Sequence, residues 1–566
     1  MPAPTTRPVS ARPCSRETLL ALRGADADGR LRLLAAARGA VRPRLAALSC
    51  ALVRRRAHAR LGFRSLGDYA RERLGVGSRV VREWARVWDA LARLPVLRAA
   101  VLSGEVSWSA ARRAVALATP ETDAACAESL RHRTVRAVDA MLRAVAAASE
   151  PPARVSAETE PFVTLSAPIS AHALPRWHYA LELARRSAGA SLPVWECAEL
   201  IAAEALSAFG AAAVPGAAPA ANETDPMPTG SIRGRRSAPD DALAWREHGL
   251  RHAAFPCVRW LHAADPRHDE ALAALGAWAL EASAHELDAA LRREICALQR
   301  IDAELGDLLR EILDRRLYRE LGFERFDRYV EERTDVAPRT ARRWVRLARG
   351  DSDTRAVATA FRGGQITGLQ AEVVLPVATG DAPAWISRAQ ATTLRGLEDA
   401  AREARASADP HTCVVRFRAP ESVAIVFRSA IEAVRRNLEA ASTPSGPGSR
   451  AAALAWMLEH AIATWEAEGE QFRDYADFGR DGWRCTAPGC TARRNLQSHH
   501  VVFRSRGGPD VPSNRTTLCA FHHLRGVHAG VVACEGRAPG ALTFSLGLRP
   551  GGDALLRARS GDVLVS

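Results

Sequence analysis

The chain repeats itself at an offset of 260 residues, and this duplication constrains its fold more than any other feature. A Leu-Gly-Phe sequence at 61–63 recurs at 321–323, and 11 of the 27 positions in 61–87 are identical in 321–347 without a gap. Self-similarity over so long a period is typical of a repeated structural unit. A chain of 566 residues is also too long for one hydrophobic core, so we expect three or more domains.

Both copies are predicted to be bundles of several helices. Their apolar residues fall at helical spacing, as in Leu305, Leu308 and Ile312. Each copy also contains one strand-like piece, at 163–168 and at 414–420, which favours one short strand pair in each bundle. The predicted fold class is therefore mainly α, with two duplicated multi-helix bundles, a small C-terminal ββα-metal module and a short β-hairpin tail.

Composition and the positions of Gly and Pro divide the chain into seven segments. The stretch between the copies is rich in Ala, Pro, Gly and Ser and lacks periodicity, as expected for a flexible linker. In chain order we predict a disordered N-terminal tail at 1–29, helical unit A at 30–208, the linker at 209–240, a helical connector at 241–285, helical unit B at 286–467, a metal-binding module at 470–532 and a β-like extension at 533–566.

The charge balance indicates an acidic partner. The formal net charge is +14, and all 78 basic residues are arginines, since the chain contains no lysine. An excess of positive charge favours polyanions, with DNA as the leading candidate. Assembly into a homo-oligomer stays open.

Cysteine usage and the lack of long apolar runs indicate a cytoplasmic protein. Eight of the 11 cysteines are scattered singly and only the three between 485 and 519 cluster, which is typical of a metal site in a reducing compartment. No apolar run approaches about 18 residues, and the N-terminus lacks the apolar segment of a signal peptide. We therefore expect no membrane partner.

Four residues near the C-terminus have the spacing of metal ligands. Cys485 and Cys490 flank a Pro-Gly turn, and Cys519 and His522 lie three positions apart at the start of a predicted helix. Three thiolates and one imidazole suit a closed, tetrahedral site for structural Zn²⁺. The alternative is a cysteine-rich loop that binds no metal.

A second set of residues is interleaved with these ligands. It comprises His499, His500, Asn514, His523 and His528. The alternation of a strand places the first two on opposite faces. Together with the zinc ligands, the order and spacing of this set resembles the HNH endonuclease family.

The resemblance implies a role for each residue of the second set. His499 and His523 would ligate a catalytic divalent ion. His500 would be the general base, and Asn514 would orient the catalytic loop by side-chain hydrogen bonds. His528 lies five residues after His523, where the family more often has four, so it would be a further ligand, a phosphate contact or a surface histidine. Such a site accepts Mg²⁺, Mn²⁺, Ni²⁺ or Zn²⁺, so the catalytic metal stays open.

Each copy contains a segment similar to a helix-turn-helix. At 68–79 a helix, a glycine-containing turn and a second helix follow one another. Arginines spaced three and four apart form one basic face on the second helix of each copy, namely Arg79, Arg82 and Arg86, and Arg339, Arg342 and Arg346. We predict that these faces contact DNA, as do Arg504 and Arg506 in a basic turn. A solvated face is the alternative, and Trp84 and Trp344 are expected in the core.

The sequence thus predicts a metal-dependent HNH endonuclease that hydrolyses DNA phosphodiester bonds, with the helical copies binding or positioning the substrate. Such hydrolysis needs a base with a pKa near neutrality and a cation to neutralise the developing charge. The main alternative is a non-cleaving DNA-binding regulator in which the zinc module is structural. A helical interaction scaffold is a third hypothesis.

Overall fold

A computed structural model of the chain describes residues 24–143, 160–208, 266–408, 413–441, 449–468 and 475–565, except for 132, 134–136, 142, 171–172, 335, 350–351 and 561. The N-terminal tail up to residue 23, the predicted linker and the first part of the connector lie outside these residues. The described chain is mainly α with small antiparallel sheets, which confirms the predicted fold class. None of its helices combines the length and the apolar character needed to span a bilayer.

The first copy, which we call copy A, contains nine named helices and one strand. They are α1 (Gly24–Arg54), α2 (Ala57–Arg60), α3 (Leu66–Tyr69), α4 (Ser78–Leu91), α5 (Pro95–Leu102), α6 (Trp108–Ala114), α7 (Asp123–Leu130), β1 (Phe162–Ile169), α8 (Leu174–Ser187) and α9 (Val194–Ser207). Helix α3 continues directly into a π-helical turn at Ala70–Leu74. The described part of the predicted connector forms α10 (Pro266–Glu281).

The second copy, copy B, repeats this order of elements, with one more named helix immediately before its strand. They are α11 (Ala284–Asp314), α12 (Leu317–Glu320), α13 (Phe326–Arg333), α14 (Pro338–Arg349), α15 (Ser352–Arg362), α16 (Gly368–Val374), α17 (Ala382–Ala391), α18 (Leu394–Ala408), β2 (Cys413–Pro420), α19 (Glu421–Ala441) and α20 (Arg450–Glu468). Helices α1 and α11 each have 31 residues and begin 260 positions apart, so the duplication seen in the sequence is also a duplication of structure.

Both long helices begin before the predicted boundaries of their copies. Helix α1 starts at Gly24 rather than at 30, and α11 starts at Ala284 rather than at 286. At α11 the start is set by a capping box, in which Ser283 Oγ accepts from the backbone N–H of Glu286 and the Glu286 carboxylate accepts from the Ser283 N–H. Both helices thus extend beyond the predicted limits of the helical units.

Helices α1 and α11 pack against each other antiparallel and cross near their midpoints. Arg38 of α1 lies 2.6 Å from Asp302 of α11, and Arg44 lies 2.6 Å from Glu294. Residue numbers thus increase along α1 in the direction in which they decrease along α11, as in an antiparallel pair of helices. This crossing relates the two copies by an approximate two-fold axis.

The contacts between the copies are reciprocal. Asp288 of copy B, which is 2% exposed, accepts hydrogen bonds from Tyr69 Oη (3.1 Å) and Arg73 Nη2 (2.6 Å) of copy A. Its equivalent in copy A, Asp28, is 1% exposed and lies 3.4 Å from Arg333 Nε of copy B. The same kinds of residue thus meet twice, with the copies exchanged, as in the isologous interface of a symmetric dimer.

The strands of the two copies also pair with each other. Strand β1 of copy A runs antiparallel to β2 of copy B, with Phe162 opposite Pro420 and Ile169 opposite Cys413. The prediction of a strand pair within each bundle was therefore wrong. Each copy supplies a single strand, and an isolated strand satisfies its backbone hydrogen bonds only by pairing with another.

The C-terminal module follows copy B. It contains α21 (Tyr475–Arg480), the antiparallel strands β3 (Leu496–His500) and β4 (Arg515–Cys519), and a π-helix at Phe521–Val527. The extension after it is larger than the predicted hairpin, because it forms a four-stranded antiparallel sheet. The strands of this sheet are β5 (Val532–Arg537), β6 (Ala541–Leu546), β7 (Leu556–Arg559) and β8 (Val563–Leu564).

The module packs against a turn of copy A whose counterpart in copy B is open. Gly62 and Gly322 both have φ of +82°, a left-handed conformation that favours glycine. A Cβ at Gly62 would meet the backbone nitrogen of Gly547 at 3.0 Å, whereas a Cβ at Gly322 would meet no described atom within 4 Å. The module therefore breaks the symmetry of the two copies.

The reciprocal contacts should dominate the stability of the pair of copies. We expect Asp288→Asn to lower the free energy of unfolding by about 3–5 kcal/mol, because it leaves buried Arg73 without its partner. The matched control is Asp89→Asn, which removes the partner of Arg54 in an exposed pair and should cost less than about 1 kcal/mol. Chemical denaturation monitored by tryptophan fluorescence measures both, and equal losses would contradict the expectation.

Candidate metal centre

The four predicted zinc ligands lie together in the structure. The Sγ atoms of Cys485, Cys490 and Cys519 and a ring nitrogen of His522 are buried, and all lie within 4.8 Å of one another. Tetrahedral zinc with bonds of about 2.3 Å to sulfur holds neighbouring sulfur ligands about 3.8 Å apart. The cluster therefore fits a metal ion in both its donor atoms and its size.

Hydrogen bonds orient the imidazole of this cluster. His522 Nε2 lies 2.9 Å from the carbonyl oxygen of Gly62, to which it donates, so that Nδ1 faces the thiols. Nδ1 lies 3.5 Å from Cys485 Sγ and 3.3 Å from Cys519 Sγ. Copy A thus supplies the outer hydrogen bond that fixes the ring, an interaction that metal-binding histidines commonly require.

Protons are unevenly shared within the cluster. Burial lowers the pKa of His522, but the sulfurs of Cys485 and Cys519 outweigh it and raise this pKa to about 10. Hydrogen bonds from Cys485 and Cys490 hold the pKa of the Cys519 thiol well below its usual range. Both shifts favour a proton on the imidazole and none on the Cys519 sulfur, and a metal ion would displace the proton of the imidazole nitrogen that it binds.

Residues distant in sequence hold the backbone of the cysteine turn. The guanidinium of Arg395 donates to the carbonyl oxygens of Cys485 and Cys490, and lies 2.6 Å from Asp562. Asp562 in turn accepts from the N–H of Gly489 at 2.9 Å. Neither residue can be identified from the sequence alone, because a buried Arg–Asp pair from two other segments leaves no local signal.

Copy A holds the same turn from its other side. Thr491 Oγ1 donates to Asp68 at 2.7 Å, and Glu72 accepts from the backbone N–H groups of Leu394 and Arg395. Burial, as the largest effect, raises the pKa of Glu72 to about 7. The cysteine turn is therefore clamped between both copies and the C-terminal sheet, and the module is rigidly attached to the helical body.

Three histidines form a second cluster. His499, His523 and His528 each place a ring nitrogen within 4.8 Å of the others. His499 is 1% exposed, and its Nε2 is a buried atom with no hydrogen-bond partner among the described residues. A buried, unpaired ring nitrogen is costly unless something binds it, so this site too fits a metal ion.

The electrostatics of the second cluster favour the neutral form of two of its rings. Burial, followed by the charges of His523 and His528, lowers the pKa of His499 to about 4. Burial also lowers the pKa of His523, with His528 and then His500 adding to the effect. The neutral imidazole is the form that binds metals, so this cluster is ready to coordinate an ion at neutral pH.

Gln497 orients His523 and was not identified from the sequence. Its Oε1 lies 2.7 Å from His523 Nδ1, which leaves Nε2 of that ring available. Gln497 and His499 lie two positions apart on β3 and therefore on the same face of the strand. The alternation of this strand was the signal that could have identified Gln497.

A π-helix explains the unusual spacing of His523 and His528. The segment Phe521–Val527 has π-helical hydrogen bonding, and the N–H of His528 donates to the carbonyl oxygen of His523 at 3.1 Å. Residues five apart lie one turn apart in such a helix, whereas an α-helix requires four. Of the three alternatives for His528, the structure places its ring in the cluster, 4.9 Å from that of His523 between centroids.

This geometry predicts that the histidine must stay at the fifth position. In the double variant Val527→His, His528→Ala, which restores the four-residue spacing, we expect affinity for a divalent ion at this cluster to fall more than about 100-fold. Titration with Co²⁺, followed by its visible absorption, measures the loss. The matched control is His528→Ala alone, and recovery of binding in the double variant relative to this control would contradict the role of the π-helix.

His500 lies beside the second cluster and has a carboxylate partner. Its Nε2 is 3.0 Å from Asp510, and only 18% of its side chain is exposed. Arg515 also contacts Asp510, at 3.3 Å. The hydrogen bond with His500 is the largest of the effects that lower the pKa of Asp510. Asp510 was missed because it lies in a Gly-Pro turn that has no periodic pattern.

Asn514 ties the loop that carries this pair. Its Oδ1 accepts from Val502 N (2.8 Å), and its Nδ2 donates to the carbonyl oxygens of Val502 (3.1 Å) and Pro509 (2.9 Å). The side-chain hydrogen bonds predicted for Asn514 are therefore confirmed. Because all of them go to backbone atoms, Asn514 is a positioning residue for the loop between His500 and Asp510.

The predicted DNA-contacting arginines lie at the surface. All are exposed, namely Arg79, Arg82 and Arg86 on α4, Arg339, Arg342 and Arg346 on α14, and Arg504 and Arg506 beside the histidine loop. Arg342 pairs with Asp327 at 2.8 Å, and Arg506 stacks on the ring of Phe503. Trp84 and Trp344 are buried, which confirms their predicted place in the core.

Comparisons with models of known protein families, with curated proteins and with solved structures found no match. The chemistry that this chain can perform is therefore inferred from the geometry of its two clusters. A buried Cys₃His cluster that could hold a metal ion lies in the same small module as a partly open three-histidine cluster.

Proposed function

We propose that the chain is a metal-dependent endonuclease of the HNH type that hydrolyses phosphodiester bonds of DNA. The observation that carries the proposal is the three-histidine cluster with the His500–Asp510 pair beside it. A cation site next to an imidazole held by a carboxylate contains the two elements that phosphodiester hydrolysis requires. The sequence resemblance implies the same activity.

The chain's own residues have separate tasks in this proposal. His499, His523 and His528 would hold a divalent ion, which when bound would neutralise charge on the phosphate and its leaving oxygen. His500 takes the proton of the attacking water on Nδ1, because its Nε2 faces Asp510. Asp510 then stabilises the imidazolium, as carboxylates do in catalytic dyads. Asn514 fixes the loop geometry.

The Cys₃His cluster has a structural task in the proposal, with Zn²⁺ as its ion. Three thiolates and one imidazole in a fully buried site leave no open position for substrate. The clamp formed by Arg395, Asp562 and Asp68 then holds the cysteine turn, and through it the module, against the helical copies. The exposed arginines of α4 and α14 support DNA binding by those copies.

The proposal is tested by plasmid cleavage with a panel of divalent ions. The full-length protein, loaded with zinc, is incubated with supercoiled plasmid and Mg²⁺, Mn²⁺, Ni²⁺, Co²⁺ or EDTA. We expect nicked or linear DNA with at least one ion and none with EDTA. DNA binding without cleavage under every condition would instead support the non-cleaving regulator, and absence of both would contradict the proposal.

A further inference from the structure

A cavity of about 320 Å³ lies at the meeting point of both copies and the C-terminal module. Its walls are α8 of copy A, β2 of copy B, and the segment 493–494 that leads into β3. The volume is within the range of about 300–1,000 Å³ that small-molecule sites occupy. None of the metal-centre residues described above lines it.

The polar part of the cavity is strongly basic. Arg185, Arg416, Arg493 and Arg494 line it, and the lining contains no aspartate or glutamate among the described residues. Arg185 forms an ion pair with Glu182 at 3.7 Å, and Glu182 does not line the cavity. Four arginines therefore line the cavity without an equal number of carboxylates, although Arg493 also donates to the carbonyl oxygens of Gly482 and Trp483.

Burial, with nearby positive charges, disfavours the protonated forms of two groups in the cavity wall, an effect that a bound anion would oppose. Burial, followed by the charge of Arg484, lowers the pKa of Arg493 to about 10, although Asp399 opposes the shift. Burial, followed by Arg493 and Arg185, lowers the pKa of His178 in the wall to about 3. His178 is consequently a neutral hydrogen-bonding group. Like charges in a partly buried space disfavour one another, and a bound anion reverses this effect.

The remaining walls are apolar and partly aromatic. Trp177 stacks on Phe417 with centroids 5.8 Å apart, and Leu181 and Val194 complete this side. An inorganic anion would leave these walls without contacts. A ligand that fills the cavity therefore combines an anionic group with an apolar body.

We propose that this cavity binds a phosphate ester with a flat aromatic body, the chemistry of a mononucleotide, either free or as one unit of a DNA strand. The phosphoryl group lies against Arg185, Arg493 and Arg494, whose fork geometry suits phosphate oxygens. The aromatic body lies along the Trp177 side, and His178 hydrogen-bonds its edge. This inference does not depend on cleavage by the histidine cluster.

Calorimetric titration of the full-length, zinc-loaded protein tests the proposal. The probes are dAMP, inorganic phosphate and a 5′-phosphorylated single-stranded decamer. The variants are Arg494→Gln and Arg416→Gln, and the control is Arg428→Gln, an exposed arginine of α19 outside the cavity. Thermal unfolding of each variant shows whether it folds.

We expect dAMP to bind one per chain and more tightly than inorganic phosphate. Each cavity variant should weaken this binding by about tenfold or more, because a charge-assisted hydrogen bond is lost, and the control should not. If only the decamer binds and Arg494→Gln weakens it, the ligand is a strand rather than a free nucleotide. The proposal is overturned if neither cavity variant weakens the binding of dAMP or of the decamer. It is also overturned if dAMP binds no better than inorganic phosphate and neither variant changes the binding of the decamer.

Discussion

Replacing His500 by alanine is expected to lower the rate of metal-dependent plasmid nicking by about 100- to 10,000-fold, the range over which a positioned general base contributes. The loss arises because no other described imidazole is paired with Asp510. DNA binding should be unchanged, since His500 is one of many groups at this surface. Single-turnover nicking with excess protein measures the chemical step.

Two companion variants separate the base from a general disturbance of the fold. Asp510→Asn keeps the imidazole but weakens its orientation, so its loss of rate should be smaller than that of His500→Ala. His460→Ala changes a histidine on α20 that stacks on Trp456, outside the module, and should nick at the wild-type rate. Nicking by His500→Ala at the wild-type rate would show that His500 is not the base.

Removal of one zinc ligand is expected to unfold the C-terminal module. Structural zinc contributes about 10–16 kcal/mol of apparent binding free energy in small metal-dependent folds. Cys519→Ser should therefore abolish stoichiometric zinc and expose the amides of β3 and β4 to hydrogen exchange. Helices α1–α7 and α11–α18, whose cores contain no residue of the module, should keep most of their protection, whereas α8, α9, α19 and α20 share a core with the module and should lose part of theirs.

Cys534→Ser is the matched control for this variant. Cys534 is also buried, at 6% exposure in β5, but lies outside the ligand cluster. It should retain one tightly held zinc per chain, as determined by elemental analysis after dialysis against EDTA. Zinc retained by Cys519→Ser, or lost equally in both variants, would contradict the assignment of the cluster.

The sequence predicted those features that depend on local pattern. The duplication, the mainly α fold and the strand positions of β1 and β2 follow from repetition and periodicity. The Cys₃His set follows from the spacing of its donor atoms, and the resemblance to HNH endonucleases implied His499 and His523 as ligands, with His528 left open; the structure brings each set together. Local pattern also located the exposed arginines of α4 and α14.

Features that depend on long-range contact could not be predicted in this way. The pairing of β1 with β2 joins residues about 250 positions apart, and no single-sequence signal specifies that partner. Arg395 and Asp562 come next to the Cys₃His cluster only through folding. The π-helix could not be predicted, because the five-residue spacing of His523 and His528 is equally compatible with an α-helix that ends before the second histidine.

The reciprocal aspartate–arginine contacts have a consequence for how such a chain arises. Each copy carries an aspartate like Asp28 and also an arginine like Arg73, so each is complementary to itself. A polypeptide with a single copy would satisfy these contacts by pairing with a second molecule. The present protein then corresponds to a fused homodimer with two equivalent docking positions. The metal module occupies the position at Gly62, and no described residue packs on the equivalent position at Gly322.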